Sequence, residues 1–138
     1  MAYWLIKSEP ATWSWDQHAK AGADAWTGVR NHQAKQHLMA MKPGDKAFFY
    51  HSGDDKAVVG VTEVARAAYP DPTDANGAFV CVDFKAVAPL SRPVTLAEIK
   101  ADPALKDMVL VKNARLSVQP VTDAEWRTVC AMGGASPP

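Results

Sequence analysis

The stretch "KAFFYHSGDDKAVVGVTEVA", Lys46–Ala65, decides the fold class. Two runs of aromatic and β-branched residues, Lys46–Ser52 and Val58–Ala65, flank a short "GDD" turn. Strands joined this tightly pair antiparallel, because a parallel pair needs a long crossover, usually a helix. The centre of the sheet is therefore expected to be antiparallel.

Upstream of that hairpin, "KPGD" at Lys42–Asp45 reads as a turn. Before it, Asn31 can cap a helix running to about Met41. Its core face is Ala34, Leu38 and Met41, spaced four and three apart. "WTGVRN", Trp26–Asn31, reads as a loop. Ser14 with Gln17 forms a capping-box pattern for a short helix that Gly22 ends. Tyr3–Lys7 is strand-like. Alternation puts Tyr3, Leu5 and Lys7 on one face and Trp4, Ile6 and Ser8 on the other, with Pro10 as a stop.

Downstream, "YPDPTDANG" reads as a loop and Phe79–Val87 as a strand entered through a tight "NG" turn. Capping boxes at Thr95–Glu98 and Thr122–Glu125 open two helices, the second carrying Trp126, Val129 and Cys130. "ARLSVQPV" between them is strand-like. Trp13, Trp15, Phe79 and Phe84 are expected in or near the core. Short non-local strands mixed with short helices give an α+β domain with a mostly antiparallel, curved sheet or small barrel.

The 138 residues fit one domain, taken as 1–132 with a frayed tail at 133–138. A hydrophobic content of 48% makes the chain globular rather than disordered. No apolar run reaches about 18 residues and no signal-peptide pattern opens the chain. A cytoplasmic monomer without membrane contact is expected, nuclear if the source is eukaryotic. Cys81 and Cys130 are too few for a disulfide framework or a thiolate zinc site and read as buried small hydrophobes. Net charge is zero, which argues against a general nucleic-acid coat. Charge is uneven, however. Gly28–Lys46 carries a local +3, with His32 and His37 in the same window.

No dinucleotide fingerprint, phosphate-binding loop or nucleophile elbow is present. His32 and His37 are five apart, the wrong spacing for a pair of metal ligands on one helix face. His51 and Ser52 are strand neighbours pointing to opposite faces, so they make a poor base–nucleophile pair. No metal or cofactor is expected, and no catalysis.

What remains is a polar and aromatic constellation in "KSEP" (Lys7–Pro10), "WTGVRN" (Trp26–Asn31) and "FFYHS" (Phe48–Ser52). Recognition of a flat heterocycle needs a stacking wall with directed donors and acceptors at its edge. The candidate pocket residues are Lys7, Ser8, Trp26, Gly28, Val29, Asn31, Tyr50, His51 and Ser52. Arg30 and Lys35 are the candidates for phosphate contact. Asn31 also reads as a plain helix cap, and Arg30 as an ordinary surface ion.

"YWLIKSEP", "SWD", "WTGVRNHQAK", "MKPGD", "FFYHS", "VVGVTEV", "AYPDPT" and "RLSVQPVT", in this order, resemble the EVE domain family over about Ala2 to Met132. The resemblance implies a PUA-like fold, a curved β-barrel surrounded by short helices and similar to YTH domains. It also implies a reader of modified bases, including 5-methylcytosine derivatives in DNA. The partner would be a nucleic acid carrying a modified base, or a free modified nucleotide. An enzyme acting on a modified base and a sensor of free nucleotides are the alternatives. Many family members carry a longer insertion after the "YPDPT" motif. Only "DANGA" stands here between Thr73 and Phe79, so a more open pocket is expected.

Overall fold

The computed structural model describes residues 1–135. Six strands form one mixed sheet: β1 (Tyr3–Ser8), β2 (Ala23–Ala25), β3 (Lys46–His51), β4 (Ala57–Pro70), β5 (Val80–Thr95) and β6 (Val118–Val121). Their order is β2-β5-β4-β3-β1-β6. β3, β4 and β5 form the antiparallel centre. β1 lies parallel to β3, with Leu5 opposite Phe48 and Ser8 opposite His51. The crossover between them is long enough to hold α1 (Trp15–Ala21), β2 and α2 (His32–Ala40). α3 (Leu96–Ala101), a 3₁₀ turn at Pro103–Leu105, α4 (Val109–Lys112) and α5 (Asp123–Met132) follow the long strands.

The three capping boxes form as the sequence predicts. Ser14, Thr95 and Thr122 each accept from the backbone three residues on, and Gln17, Glu98 and Glu125 reach back. Each satisfies helix-start donors that would otherwise be orphaned. β4 and β5 are longer than expected. Tyr69 and Pro70, expected in a loop, pair with Cys81 and Val80, and β5 continues to Thr95 through Pro89 and Pro93. The β4–β5 ladder absorbs the prolines by shifting register at four places, and such bulges bend a sheet. β2 was not expected. It is three residues long and exists by pairing with Asp83–Lys85.

Alternation along β1 splits the core in two. Leu5 joins Phe48, Val58, Ile99, Leu110 and Trp126 on one face. Trp126 stacks on Phe48 at 3.9 Å and on Tyr3 at 4.4 Å between ring centres. Trp4 and Ile6 join Trp15, Ala34, Leu38, Phe49 and Phe84 on the other. Both cysteines are free and buried, as expected. The tail expected to fray at 133–138 is tied down at its start. Gly133 and Gly134 carbonyls accept from Arg92 N and Ser91 Oγ. Residues 136–138 of that tail lie outside the described residues.

Candidate functional site

β1 and β3 run parallel, so both end on the same side of the molecule, at Ser8 and His51. Lys7 and Ser8 there meet the chain leaving β2. Trp26 N–H donates to Val82 O at 2.8 Å and so continues the β2–β5 pairing. The result is a cavity of about 470 Å³, lined by Lys7–Glu9, Thr12, Trp13, residues 24–30 and Ser117.

Its aromatic walls are anchored from behind. Trp26 is half-buried and meets Phe49 and Phe84 edge-on at 5.6 and 5.8 Å. Trp13 is half-buried as well, and its indole N–H has no hydrogen-bond partner. Ser8, almost fully buried, donates its hydroxyl to the Trp13 carbonyl and so braces that wall. His18 is fully buried beneath Trp26 and stacks on Phe49, with its Nε2 at 2.9 Å from Thr62 Oγ1. Burial lowers its pKa, against the opposing pull of Asp24. Neutral His18 thus belongs to the packing behind the wall.

The loop that closes the cavity is set by one carboxylate. Gly28 has φ +86°, a conformation that costs a residue with a side chain. Its N–H donates to Asp71 Oδ2 at 2.8 Å. Arg30 Nη1 reaches the same oxygen at 3.1 Å, and its Nη2 reaches Thr73 Oγ1 at 2.9 Å. The "WTGVRN" and "YPDPT" motifs are thereby clamped together.

The structure brings Lys7, Ser8, Trp26, Gly28, Val29 and Arg30 to this cavity. It does not bring the other candidates there. Asn31 is the cap of α2, accepting from Ala34 N at 2.9 Å. His51 Nε2 accepts from Trp15 N at 2.9 Å and Nδ1 faces Asp55 at 3.1 Å, so the ring is a strut between α1 and the hairpin. Tyr50 and Ser52 line a second cavity on the other side of Lys7. Lys35 lines neither, and its Nζ sits 5.9 Å from the Phe79 ring. Arg30 has its guanidinium engaged by Asp71 and Thr73 before any ligand arrives. Residues 74–79, the shortened connection, do not reach the first cavity.

Sequence reasoning missed Thr12, Trp13, Asp24 and Ser117 as lining residues, while Glu9 and Thr27 lay inside the motifs it singled out. Asp24 shares a face with Trp26, as i and i+2 of an extended segment, but that segment is extended only through its pairing with β5. Ser117 comes from far along the chain and carries no local signal.

Chemically the cavity balances its charges, with Lys7 and Arg30 against Glu9 and Asp24. Hydroxyls and two indoles fill the rest. Burial lowers the pKa of Lys7, whose Nζ donates to Ala114 O at 2.6 Å. Such a lining suits a flat, neutral, polar-edged ligand better than a polyanion.

The fold and the sequence recur in known proteins. The EVE domain profile matches residues 2–132. The solution structure of Rpa0253 from Rhodopseudomonas palustris is 62% identical with a TM-score of 0.93, covering 97% of this chain and 94% of that one. Human THYN1, solved in complex with 5-methylcytosine-containing DNA, is 32% identical with a TM-score of 0.88, covering 99% and 100%. The YTH domain of Zygosaccharomyces rouxii MRB1, solved with N6-methyladenosine RNA, shares the fold at 17% identity and a TM-score of 0.61, covering 98% and 85%.

Proposed function

Because this chain belongs to the EVE domain family, we propose that it is a non-catalytic reader that seats one modified base of a nucleic acid in the cavity between Lys7 and Trp26. The observation that carries the reading is the lining itself: two indoles for stacking, and equal numbers of cationic and anionic side chains at the edge. A volume of about 470 Å³ lies in the ordinary range for small-ligand sites. The base must leave its stack, at a few kcal/mol in a duplex and less in a single strand. Stacking on one aromatic returns about 1–3 kcal/mol. Discrimination falls to the edge groups. Asp24 is an acceptor suited to an exocyclic amine such as that of cytosine, and Lys7, Thr12 and Thr27 are donors.

The DNA complex of human THYN1 supports 5-methylcytosine as the first base to test. The test is binding to oligonucleotides that differ only in one base: cytosine, 5-methylcytosine and its oxidised forms, adenine and N6-methyladenine. Trp26→Ala is expected to lose about 1–3 kcal/mol of modified-base binding. Asp24→Asn is expected to lose about 1–3 kcal/mol of preference between bases while keeping general affinity. Equal binding of every oligonucleotide by the wild type, or intact preference in Trp26→Ala, would overturn the reading. Turnover of a modified oligonucleotide would make the protein an enzyme instead.

A further inference from the structure

The second cavity, about 300 Å³, lies on the opposite side of Lys7 from the first. Three lysines line it, Lys7, Lys56 and Lys100, with no acidic residue in its lining. This is a concentration of +3 in a chain whose net charge is zero. Like charges gathered at a concave surface repel one another unless an anion lies between them. One neutral donor completes the set. Tyr50 is 3% exposed and lines the cavity, and its hydroxyl has no hydrogen-bond partner among the described residues. Ser52 lines it too, its hydroxyl donating to Glu9 Oε2 at 3.5 Å, and the Glu9 carboxylate lies against Gly53 as well.

The frame is rigid. Lys56 is the one non-glycine residue with positive φ among the described residues, at +43°. Its carbonyl accepts from Leu96 N at 2.7 Å, which ties the β3–β4 turn to α3, the helix that carries Lys100. Lys7 Nζ spends one donor on Ala114 O and lies 5.7 Å from the Tyr50 ring centre, leaving two donors.

We propose that this second cavity is a phosphate site. The phosphate is either the backbone group of a strand whose base enters the first cavity, or a free phosphate. The first source rests on the base-reading proposal; the second does not. Lys7 borders both cavities, so a strand crossing it would place a base on one side and a phosphate on the other. This assigns phosphate contact to Lys56 and Lys100.

The test uses inorganic phosphate at constant ionic strength, followed by backbone amide NMR. Saturable shifts are expected at Gly53, Lys56, Leu96 and Lys100, absent with chloride. They should vanish in Lys56→Gln/Lys100→Gln and in Lys100→Glu, an exposed single change that keeps the fold if the double variant does not. No saturable shift, or the same shift in a folded variant, overturns the proposal. The second measurement is oligonucleotide binding. If the source is a strand, the double variant should weaken every oligonucleotide alike, by about 10-fold at 0.1 M salt. Binding of a free modified nucleoside should be unchanged. Phosphate shifts with unaltered oligonucleotide binding assign the site to free phosphate. Phosphate shifts in a protein without base preference leave this proposal standing and remove the base-reading one.

Discussion

Asp71 takes four hydrogen bonds into one buried carboxylate: Gly28 N–H, Arg30 Nη1, and the N–H and hydroxyl of Thr73. Burial alone would raise its pKa. The Thr73 hydroxyl, the Gly28 and Thr73 amides and Arg30 outweigh burial and hold it down at about 2. A depressed folded-state pKa stabilises the fold above the unfolded value and loses that stabilisation as pH falls through the folded one. The contribution, on the order of 2 kcal/mol, is therefore complete above about pH 4 and fades toward pH 2. Asp71→Asn should lower the urea midpoint at pH 7 and also loosen the Gly28–Arg30 loop, weakening base binding. The gap between wild type and variant should close as pH drops from about 4 toward 2. A gap that stays constant over that range would mean the clamp does not depend on the charge.

Gly60 on β4 shows how one element positions another. A Cβ there would lie 2.6 Å from the Trp15 ring of α1, which packs flat on the strand backbone. Gly60→Ala should destabilise the domain by about 1–3 kcal/mol as the ring and α1 are pushed away, visible as a lower thermal midpoint. Unchanged stability would mean α1 is free to shift. That contact also marks the limit of what the sequence made legible. The capping boxes, the buried face of α2 and the β3–β4 hairpin depend on neighbours within a few residues, and all could be read directly. β2 could not, because Ala23–Ala25 is extended only through its partner Asp83–Lys85. Pro89 and Pro93 look like stops, yet Pro89 sits opposite Gly60 beside a register shift, where the regular ladder is already broken. The site divides the same way. Lys7, Ser8 and Trp26 stood out by composition. Asp24 and Ser117 enter through non-local pairing, and Asn31 and His51 were polar for reasons of capping and bracing.

At the scale of the whole molecule, the two cavities sit where the parallel strands β1 and β3 end, the position at which strand ends offer open space and unpaired backbone. Beyond the shared Lys7, one cavity sets Arg30 against Glu9 and Asp24, and the other holds Lys56 and Lys100. No helix of the described residues is long and apolar enough to cross a membrane. On the proposed reading, affinity for a nucleic acid comes from one seated base and one phosphate beside it. Each neutralised phosphate contributes about −0.7 to the slope of log affinity against log salt for a single strand and about −0.9 for duplex DNA. One phosphate held among the three lysines sets the expected slope at about −0.7 for a single strand and about −0.9 for a duplex. Lys56→Gln/Lys100→Gln should flatten it toward zero, as the phosphate contact is lost. A free modified nucleoside should bind with almost no salt dependence, since it releases no counterions. The measurement is a binding titration of one modified oligonucleotide at several salt concentrations, with wild type and double variant side by side. A wild-type slope of about −6 would place the main phosphate contacts elsewhere, on a basic face outside these cavities. A slope near zero would make the preferred ligand the free nucleoside or nucleotide, and the protein a sensor rather than a reader of strands.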